Sequence, residues 1–323
     1  MNAKRAIALL LTLVLSLSLC ACTAAKPKET PNVVDIDVVH NIPLNSGMPY
    51  LFLDDKKTNI GIYLNTVAEI NALEIVPPVI AWFEQWYGYS SREKLSLCGS
   101  HQLAIPFITW EPQNISLKDI SDGKHDEYIR GYFTRLAIIC PDNDVLVRFA
   151  HEMEPPGSGE NWYSWQEGDP EAYRAAWIHL VELGRKINPN IKWVWSPNCA
   201  DVISAPYYPG DKYVDYVGVT LNLPLDLADQ YTDFEDFYTR RGIRERLEQY
   251  GKKIVISEAA YPSNDPEAKA AYMQSILDYA ERDRHICAVV LFNEDKGENK
   301  LYRFTEDEAC MQIVHEGIRR NEK

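Results

Sequence analysis

Short apolar segments alternate with helical patterns along most of the chain. Eight of these segments have the length of buried strands, and between several of them apolar residues recur at the three- and four-residue spacing of a helix. The predicted strands cover residues 60–64, 78–83, 103–108, 144–150, 191–195, 213–219, 253–256 and 287–292. Strand–helix units repeated over about 250 residues predict an α/β fold, a (β/α)8 TIM barrel formed as a single domain. An open doubly wound sheet is the main alternative, but the chain has no GxGxxG turn that would favour it.

The helical patterns have recognisable ends. Helices are predicted around residues 129–139, 173–181 and 234–247, and Asp265-Pro266 is typical of a helix start. Thr305 and Glu308 have the spacing of a capping box for the last helix.

The N-terminus has the pattern of an export signal. Lys4 and Arg5 precede an apolar run over residues 6–19, and the following LCAC, at residues 19–22, resembles a bacterial lipobox. An ordinary signal peptide cleaved nearby and a short uncleaved anchor are the alternatives. The run of about 14 residues is shorter than the ~17–25 residues of a spanning helix.

These features predict three parts of the chain. Residues 1–21 are expected to be a lipoprotein signal peptide, with Cys22 as the lipidated residue. Residues 22–48 are expected to be a tether and residues 49–323 a single catalytic domain. The protein is therefore expected at the cell surface, held to the bacterial membrane by an N-terminal lipid anchor.

Composition and charge limit the classes of molecule that this protein is expected to bind. The chain is 46% hydrophobic and 25% charged, and its formal net charge of −14 argues against nucleic acid and suits a neutral substrate. The seven cysteines have irregular spacing without a CxxC pair, so neither a zinc site nor a disulfide framework is indicated. We expect a monomer without a metal or an organic cofactor.

Polar and aromatic residues follow the predicted strands, where α/β barrels carry their chemistry. Glu152 and Glu258 come at the ends of the fourth and seventh strands. Two carboxylates surrounded by aromatic side chains are typical of glycoside hydrolysis. The residues expected to bind substrate are Trp82, Trp110, Glu111, Trp162, Trp165, Asn198 and Asn293. Packing is an alternative for Trp82, and a loop-capping role is an alternative for Glu111.

Strand alternation refines the roles. Residues 148, 150 and 152 share one face if the strand continues to Glu152, and residues 254, 256 and 258 share another. A buried Arg148 needs a partner, and a carboxylate that pairs with it stays ionised, as a nucleophile must. Glu152, preceded by His151, fits the acid role better because the acid must hold a proton.

These motifs resemble glycoside hydrolase family 26. The similar stretches are ITWEP (108–112), VRFAHEM (147–153), WVWSPN (193–198), YYPGDKYVDYVG (207–218), IVISEAAYP (254–262) and VLFNEDK (290–296). The resemblance implies a retaining endo-β-glycanase with Glu152 as acid/base and Glu258 as nucleophile, supported by Arg148 and His151. It also implies a sugar contact for Trp162 or Trp165. The family acts mainly on β-1,4-mannan, the expected substrate here, with β-glucan, including a cellulose-like exported polysaccharide, as the alternative.

The chain departs from the family pattern after the sixth predicted strand. Members usually read VG-x-D-x-Y, with the tyrosine touching the nucleophile, but this chain has Thr220 and Asn222 at the Asp and Tyr positions. Asn222 retains a hydrogen-bond donor, so we expect it to support the nucleophile. The departure also leaves a second hypothesis open, a catalytically weak polysaccharide-binding lipoprotein on the same fold.

Overall fold

Eight parallel strands close into a barrel in the computed structural model, with β8 paired to β1. The structure describes residues 50–71, 73–88, 91–100, 102–156, 160–199, 202–297 and 301–321. The strands are β1 (Asn59–Tyr63), β2 (Val79–Gln85), β3 (Ile105–Glu111), β4 (Val145–Phe149), β5 (Ile191–Trp195), β6 (Tyr216–Asn222), β7 (Ile254–Ala260) and β8 (Ile286–Leu291). The (β/α)8 prediction is therefore confirmed. The predicted signal peptide, Cys22 and tether lie outside the described residues.

Helices lie between the strands and after β8. They are α1 (Val67–Asn71), α2 (Arg92–Leu95), α3 (Leu117–Ser121), α4 (Asp126–Ile139), α5 (Pro170–Ile187), α6 (Phe234–Arg240), α7 (Ile243–Glu248), α8 (Pro266–Arg282) and α9 (Glu308–Asn321). The two longest start in the same way, with an aspartate that accepts hydrogen bonds from the first turn and a proline at the first helical position. Among the described residues, no helix combines the length and apolarity needed to span a membrane.

Several strands run further than their apolar segments. β2, β3, β6 and β7 continue to residues 85, 111, 222 and 260, whereas the apolar runs end at 83, 108, 219 and 256. Backbone pairing does not depend on side-chain polarity, so the ladder continues into the polar mouth of the barrel. These extensions carry Glu111, Asn222 and Glu258, which places them on strands rather than in loops.

Two helix predictions are corrected. The single helix expected over residues 234–247 is divided into α6 and α7 by Gly242, which has a φ of +66°. The expected capping box is absent, because α9 begins at Glu308 and the hydroxyl of Thr305 instead accepts a hydrogen bond from Asn293.

The core has two parts. One lies inside the barrel and includes Val79, Phe107, Leu146 and Val290. The larger part lies between the strands and the helices and includes Trp193 and its neighbours on α4 and α5. Because both faces of every strand are covered, apolar residues occupy inward and outward positions alike.

Candidate active site

A bulge in β7 sets the direction of Glu258. Ile256 points outward, into the layer between barrel and helices. Simple alternation would point Glu258 outward as well, but the register between β6 and β7 shifts by one residue at Ser257. This extra residue turns Glu258 into the barrel mouth. The expectation that residues 254, 256 and 258 share one face is therefore wrong.

Glu258 receives hydrogen bonds from residues on two other strands. Arg148 on β4 donates from Nη2 to Oε1 at 2.5 Å, and Asn222 at the end of β6 donates from Nδ2 to Oε2 at 2.9 Å. The Nε of Arg148 donates to the hydroxyl of Thr109 at 2.9 Å, which fixes the guanidinium plane. Arg148 and Glu258 are both buried. The ion pair expected from the sequence is present, and each oxygen of Glu258 accepts a hydrogen bond from a separate donor.

The chain leaves the extended conformation directly after β4. Ala150 and Glu152 have φ values of +42° and +48°, in the left-handed region that side chains rarely adopt. The expectation that residues 148, 150 and 152 continue one strand face is therefore wrong. Backbone strain of this kind concentrates at functional sites, where surrounding contacts hold it.

Three hydrogen bonds hold this strained turn. The N–H of Glu152 donates to the carbonyl of Ser196 at 2.9 Å. The Nε2 of Gln166 donates to the carbonyl of Glu152 at 2.7 Å, and the indole N–H of Trp165 donates to the carbonyl of His151 at 2.8 Å. Glu152 is thus fixed through its backbone on both sides.

Gln166 also holds the segment before it. Its Oε1 accepts hydrogen bonds from the N–H groups of Trp162 at 2.8 Å and Tyr163 at 3.1 Å. Gln166 is buried, and its carbonyl accepts from the side chain of Asn161 at 2.6 Å. One side chain therefore joins the segment that carries Trp162 to the backbone of Glu152.

The carboxyl group of Glu152 lies in a less polar setting than that of Glu258. Burial, followed by the negative charge of Glu258, raises the pKa of Glu152 to about 8, against smaller opposing effects of Thr220 and Arg148. The side-chain N–H of Asn198 donates to its Oε2 at 3.2 Å. Glu152 therefore holds its proton at neutral pH, as a general acid must.

Glu154 positions Asn198. Its Oε1 accepts from the backbone N–H of Asn198 at 2.9 Å and from the hydroxyl of Ser204 at 2.7 Å. Glu154 is buried, so these bonds are shielded from solvent. The segment after β5 is in this way tied to the turn after β4.

His151 lies buried between aromatic rings. Its ring centre is 4.8 Å from that of Tyr163, 5.5 Å from Phe83 and 5.8 Å from Trp165. Burial, with the positive charges of Arg148 and Lys296, lowers its pKa well below the usual value, so His151 is neutral. Within the described part of the chain, neither ring nitrogen, both of them buried, has a hydrogen-bond partner.

Glu152 and Glu258 approach each other across the mouth. One oxygen from each carboxylate and one ring nitrogen of His151 lie within 4.8 Å of one another. This spacing could also hold a metal ion, but Arg148 already supplies positive charge there. A second such group consists of Glu248, Asp283 and His285. Arg244 supplies positive charge beside it, because its Nε is 2.7 Å from an oxygen of Glu248.

Glu111 is a further carboxylate of the mouth. It is half-buried at the end of β3, and burial raises its pKa to about 7. The charges of Arg148 and Lys296 lower that pKa, and the charge of Glu258 raises it. The pKa of Glu111 therefore depends on charges in the same site as Glu152 and Glu258. The expected contact of Glu111 with substrate stays a prediction.

Three tryptophans expected to contact sugar are buried in protein. Trp82 and Trp110 point outward from their strands, and Trp110 stacks on Tyr132 of α4 at 4.6 Å. Trp165 stacks on Tyr163 at 4.5 Å, with the rings nearly parallel. Their faces are covered by other side chains, so the expectation that these three bind substrate is wrong.

Trp162 and Asn293, two further residues expected to bind substrate, differ in how exposed their side chains are. Trp162 is 58% exposed, so its ring is open to a ligand. Asn293 is buried, and its side chain accepts from the N–H groups of Phe304 and Thr305 and donates to the Thr305 hydroxyl. Asn293 therefore holds the segment before α9, and its expected role in substrate binding is wrong.

Sequence reasoning missed four residues around the central pair. Gln166, Thr109, Phe83 and Tyr163 are the residues concerned. Phe83 and Phe107 lie beneath the guanidinium of Arg148, with ring centres 5.5 and 5.8 Å away. The sequence does not distinguish Phe83 and Thr109 from their outward-facing neighbours, because both faces of these strands are buried. Gln166 has no signal either, because its contacts are with backbone atoms.

Comparison with known proteins gives a partial match to one family and a shared fold. The model of the family "Glycosyl hydrolase family 26" matches residues 140–256, which include Arg148, His151 and Glu152 and end two residues before Glu258. Endoglucanase H of Acetivibrio thermocellus is 32% identical over 209 residues, which make up 60% of this chain and 22% of that protein. The match thus spans about a fifth of the length of this relative.

Solved structures share the barrel. An endo-β-1,4-mannanase double mutant of Cellulomonas fimi has a TM-score of 0.55 at 14% identity, covering 82% of this chain and 71% of that one. The catalytic domain of an endo-β-1,4-mannanase of Bacillus sp. JAMB-750 has a TM-score of 0.54 at 16% identity, covering 83% and 87%. Xylanase 10B of Thermotoga maritima has a TM-score of 0.54 at 14% identity, covering 84% and 97%. At these identities the likeness shows the fold alone. The sequence match therefore relates this barrel, through residues 140–256, to glycosyl hydrolase family 26.

Proposed function

We propose that this protein is a retaining endo-β-glycanase acting on a neutral polysaccharide. The observation that carries the proposal is the pair of buried carboxylates that face each other across the barrel mouth, one oxygen of each lying no more than 4.8 Å from one oxygen of the other. Retaining glycosidases place their carboxyl groups about 5–5.5 Å apart, whereas inverting ones need about 6.5–9.5 Å to admit a water molecule. The match to glycosyl hydrolase family 26 supports the same reaction class.

The surroundings of the two carboxylates assign their roles. Glu258 attacks the anomeric carbon while the proton on Glu152 passes to the glycosidic oxygen, so the bond to the leaving sugar breaks and a glycosyl ester forms. Glu152 then takes a proton from water, whose oxygen attacks the same carbon and releases Glu258. Arg148 and Asn222 hold the nucleophile by hydrogen bonds to its two oxygens, and His151 stays neutral beside the pair. The proposed reaction uses no metal or organic cofactor.

Two β-glycans are the first substrates to test. β-Glucan is favoured by the 32% identity to a protein named endoglucanase, although that name belongs to a much longer chain. β-1,4-Mannan is favoured by the motifs of residues 108–112 and 147–153, which resemble those of mannanases. The solved mannanases do not decide between them, since a xylanase shares the barrel equally well.

A panel digest tests the proposal. The wild type is incubated with β-mannan, mixed-linkage glucan, cellulose and xylan, and the products are sized and their anomeric configuration is followed by NMR. We expect internal cleavage of glucan or mannan with retained configuration. Inversion, or release of single sugars from chain ends only, would contradict the mechanism.

Matched glutamine variants locate the activity. Glu152→Gln and Glu258→Gln are expected to lose nearly all activity. Glu84→Gln is the control, because Glu84 is as buried as Glu258, at 5% exposure, but its carboxylate accepts from the indole of Trp82 and takes no part in the site. If the wild type cleaves nothing and binds a glycan no better than the variants, the second hypothesis, a catalytically weak polysaccharide-binding lipoprotein, is the better one.

The hydrogen bond from Asn222 to Glu258 favours the enzyme over this second hypothesis. Although Asn222 departs from the family pattern, it still gives the proposed nucleophile a hydrogen-bond donor.

We also propose that the enzyme works as a monomer at the cell surface. The N-terminal pattern ending at Cys22 supports a lipid anchor, and the net charge of −14 supports a neutral polysaccharide rather than nucleic acid as partner.

A further inference from the structure

Tyr87 is an aromatic residue exposed at the rim of the barrel mouth. It follows β2 by two residues, and 57% of it is open to solvent. Its neighbour Trp86 is almost fully buried against Trp110 and Tyr128. The packing role at this corner is therefore filled by Trp86, and the exposure of Tyr87 needs another explanation.

Three contacts hold Tyr87 in place, one at its backbone and two at its side chain. Its N–H donates to the hydroxyl of Tyr128 at 3.2 Å, and its own hydroxyl lies 2.7 Å from Nδ1 of His125. Its ring centre is 4.1 Å from that of Tyr128, so one face is covered and the other is open. A tyrosine held at its backbone, ring and hydroxyl is a rigid surface rather than a mobile side chain.

The backbone of Tyr87 is also in an unfavourable conformation. Its φ of +58° lies in the left-handed region, which a bulky residue adopts only at a cost in free energy. A strained conformation that keeps an apolar ring in water is not explained by stability.

The position of Tyr87 is continuous with the proposed cleft. The N–H of Trp86 donates to the carbonyl of Glu111 at 2.9 Å, so the two strand ends are joined at the level of the mouth. Beyond Glu111, the N–H of Asn114 donates to the hydroxyl of Ser164 at 2.8 Å, which connects this rim to the segment that carries Trp162. Tyr87 and Trp162 are thus two open aromatic residues on the same end of the barrel.

We propose that Tyr87 is an outer sugar-binding platform, on which a β-linked glycan that passes Glu111 stacks one pyranose ring. The C–H bonds on the face of a sugar ring carry partial positive charge, which the negative face of an aromatic ring attracts. The occupant is the polysaccharide substrate itself, so this inference rests on the proposed function. It goes beyond that function by assigning a contact distant from the bond that breaks.

Substitutions that respect the backbone test this platform. Tyr87→Asn removes the ring but tolerates a positive φ, and Tyr87→Phe keeps the ring without the hydroxyl. Phe52→Ala is the matched control, because Phe52 is 58% exposed but precedes β1, at the opposite end of the barrel. Binding is measured by retardation in native gels that contain the β-glucan or β-mannan cleaved by the wild type. Hydrolysis is measured as kcat/KM on that polymer and on the shortest oligosaccharide cleaved.

We expect Tyr87→Asn to weaken polymer binding roughly 3- to 10-fold, the value of one aromatic contact. Its kcat/KM should fall on the polymer and stay unchanged on the short oligosaccharide, which does not reach the rim. Tyr87→Phe and Phe52→Ala should bind the polymer within twofold of the wild type.

Two results would overturn the inference, and they are distinguishable. A Tyr87→Asn protein that cleaves and binds the polymer as Phe52→Ala does would remove the platform and leave the proposed function intact. A wild type that neither cleaves nor binds β-glucan or β-mannan would remove both. A thermal melt of each variant shows that it is folded. If Tyr87→Asn is not folded, Tyr87→Gly, which also removes the ring and accommodates the positive φ, decides the question in the same way.

Discussion

Glu152 and Glu258 are both buried, yet different groups surround them. Glu258 faces Arg148 and Asn222, which donate to its two oxygens. Glu152 faces Asn198, a weaker neutral donor, and the negative charge of Glu258. The same residue type is therefore given two different sets of neighbours, and the division of roles in the proposed mechanism follows from them.

The raised pKa of Glu152 predicts the alkaline limit of activity. Its proton is retained up to about pH 8, so kcat/KM should fall as pH rises through that value. Asn198→Ala removes a donor that favours the ionised form and should move this limb to higher pH. Asn190→Ala, which loses only a bond to the carbonyl of Pro141, is the control and should leave the limb in place. A limb that moves down in Asn198→Ala would contradict the assignment of Glu152 as the acid.

The same pKa predicts a dependence of stability on pH. Because the folded-state pKa of Glu152 lies above its unfolded value of 4.5, the contribution is full below pH 4.5 and is lost as pH rises through about 8. Glu152→Gln carries no charge, so it should unfold at a higher temperature than the wild type at pH 8–9 and at nearly the same temperature at pH 4. Each kcal/mol corresponds to roughly 2–4 °C in Tm. Melts across this pH range measure the difference, and an equal gap at both ends would refute the explanation.

Arg148 should contribute more to stability than a surface charge. Arg148→Met leaves Glu258 buried without its cation, which costs about 3–5 kcal/mol when a buried pair is broken. Arg148→Met with Glu258→Gln should recover part of the loss, since no buried charge is left unpaired. Lys118→Met breaks an exposed pair with Asp122 and should cost less than about 1 kcal/mol. Urea unfolding measures all three, and additive losses in the double variant would argue against direct coupling.

At the scale of elements, the strand ends decide what the sequence could reveal. Apolar runs located all eight strands, because a parallel barrel buries both strand faces. The same burial hides which face is inward, so Trp82 and Trp110 were assigned to the cleft although they point into the helix layer. Alternation also failed at Ser257, where one extra residue reverses the direction of Glu258. The sequence still indicated Glu152 and Glu258 as candidates. A residue's place near the end of a strand follows from its position in the chain, whichever face of the strand its side chain occupies.

The side chain of Gln166 joins the segment after β4 to Glu152, the proposed acid. Gln166→Met would remove the donor to the carbonyl of Glu152 and the acceptor for Trp162 and Tyr163. We expect kcat to fall roughly 10- to 100-fold, because a small displacement of a catalytic group has this effect. Gln274→Met, which loses one surface bond to Asp278 on α8, should leave kcat unchanged. A Gln166→Met protein that is less stable but equally active at a temperature where it is folded would show a structural role only.

At the scale of the whole molecule, the fold limits the function without selecting the substrate. Barrels with TM-scores near 0.55 to this one include proteins described as mannanases and a xylanase, all under 20% identical to it. The groups at the mouth of this barrel are local features: Asn222 beside Glu258, the exposed Trp162 and Tyr87, and the half-buried Glu111. Substrate choice is therefore expected to lie in these residues and not in the barrel.

The proposed location of this protein rests on Cys22. If residues 19–22 are a lipobox, the chain is cleaved before Cys22 and a lipid is attached to its thiol. In a bacterial host that processes lipoproteins, the wild type should incorporate radiolabelled palmitate and sediment with membranes. Cys22→Ser should lose the label and leave the membrane fraction. Cys20→Ser, two residues away in the same segment, should keep both properties. Labelling of Cys22→Ser, or a mature N-terminus after Ala25, would replace the lipid anchor with ordinary secretion and place the enzyme free of the membrane.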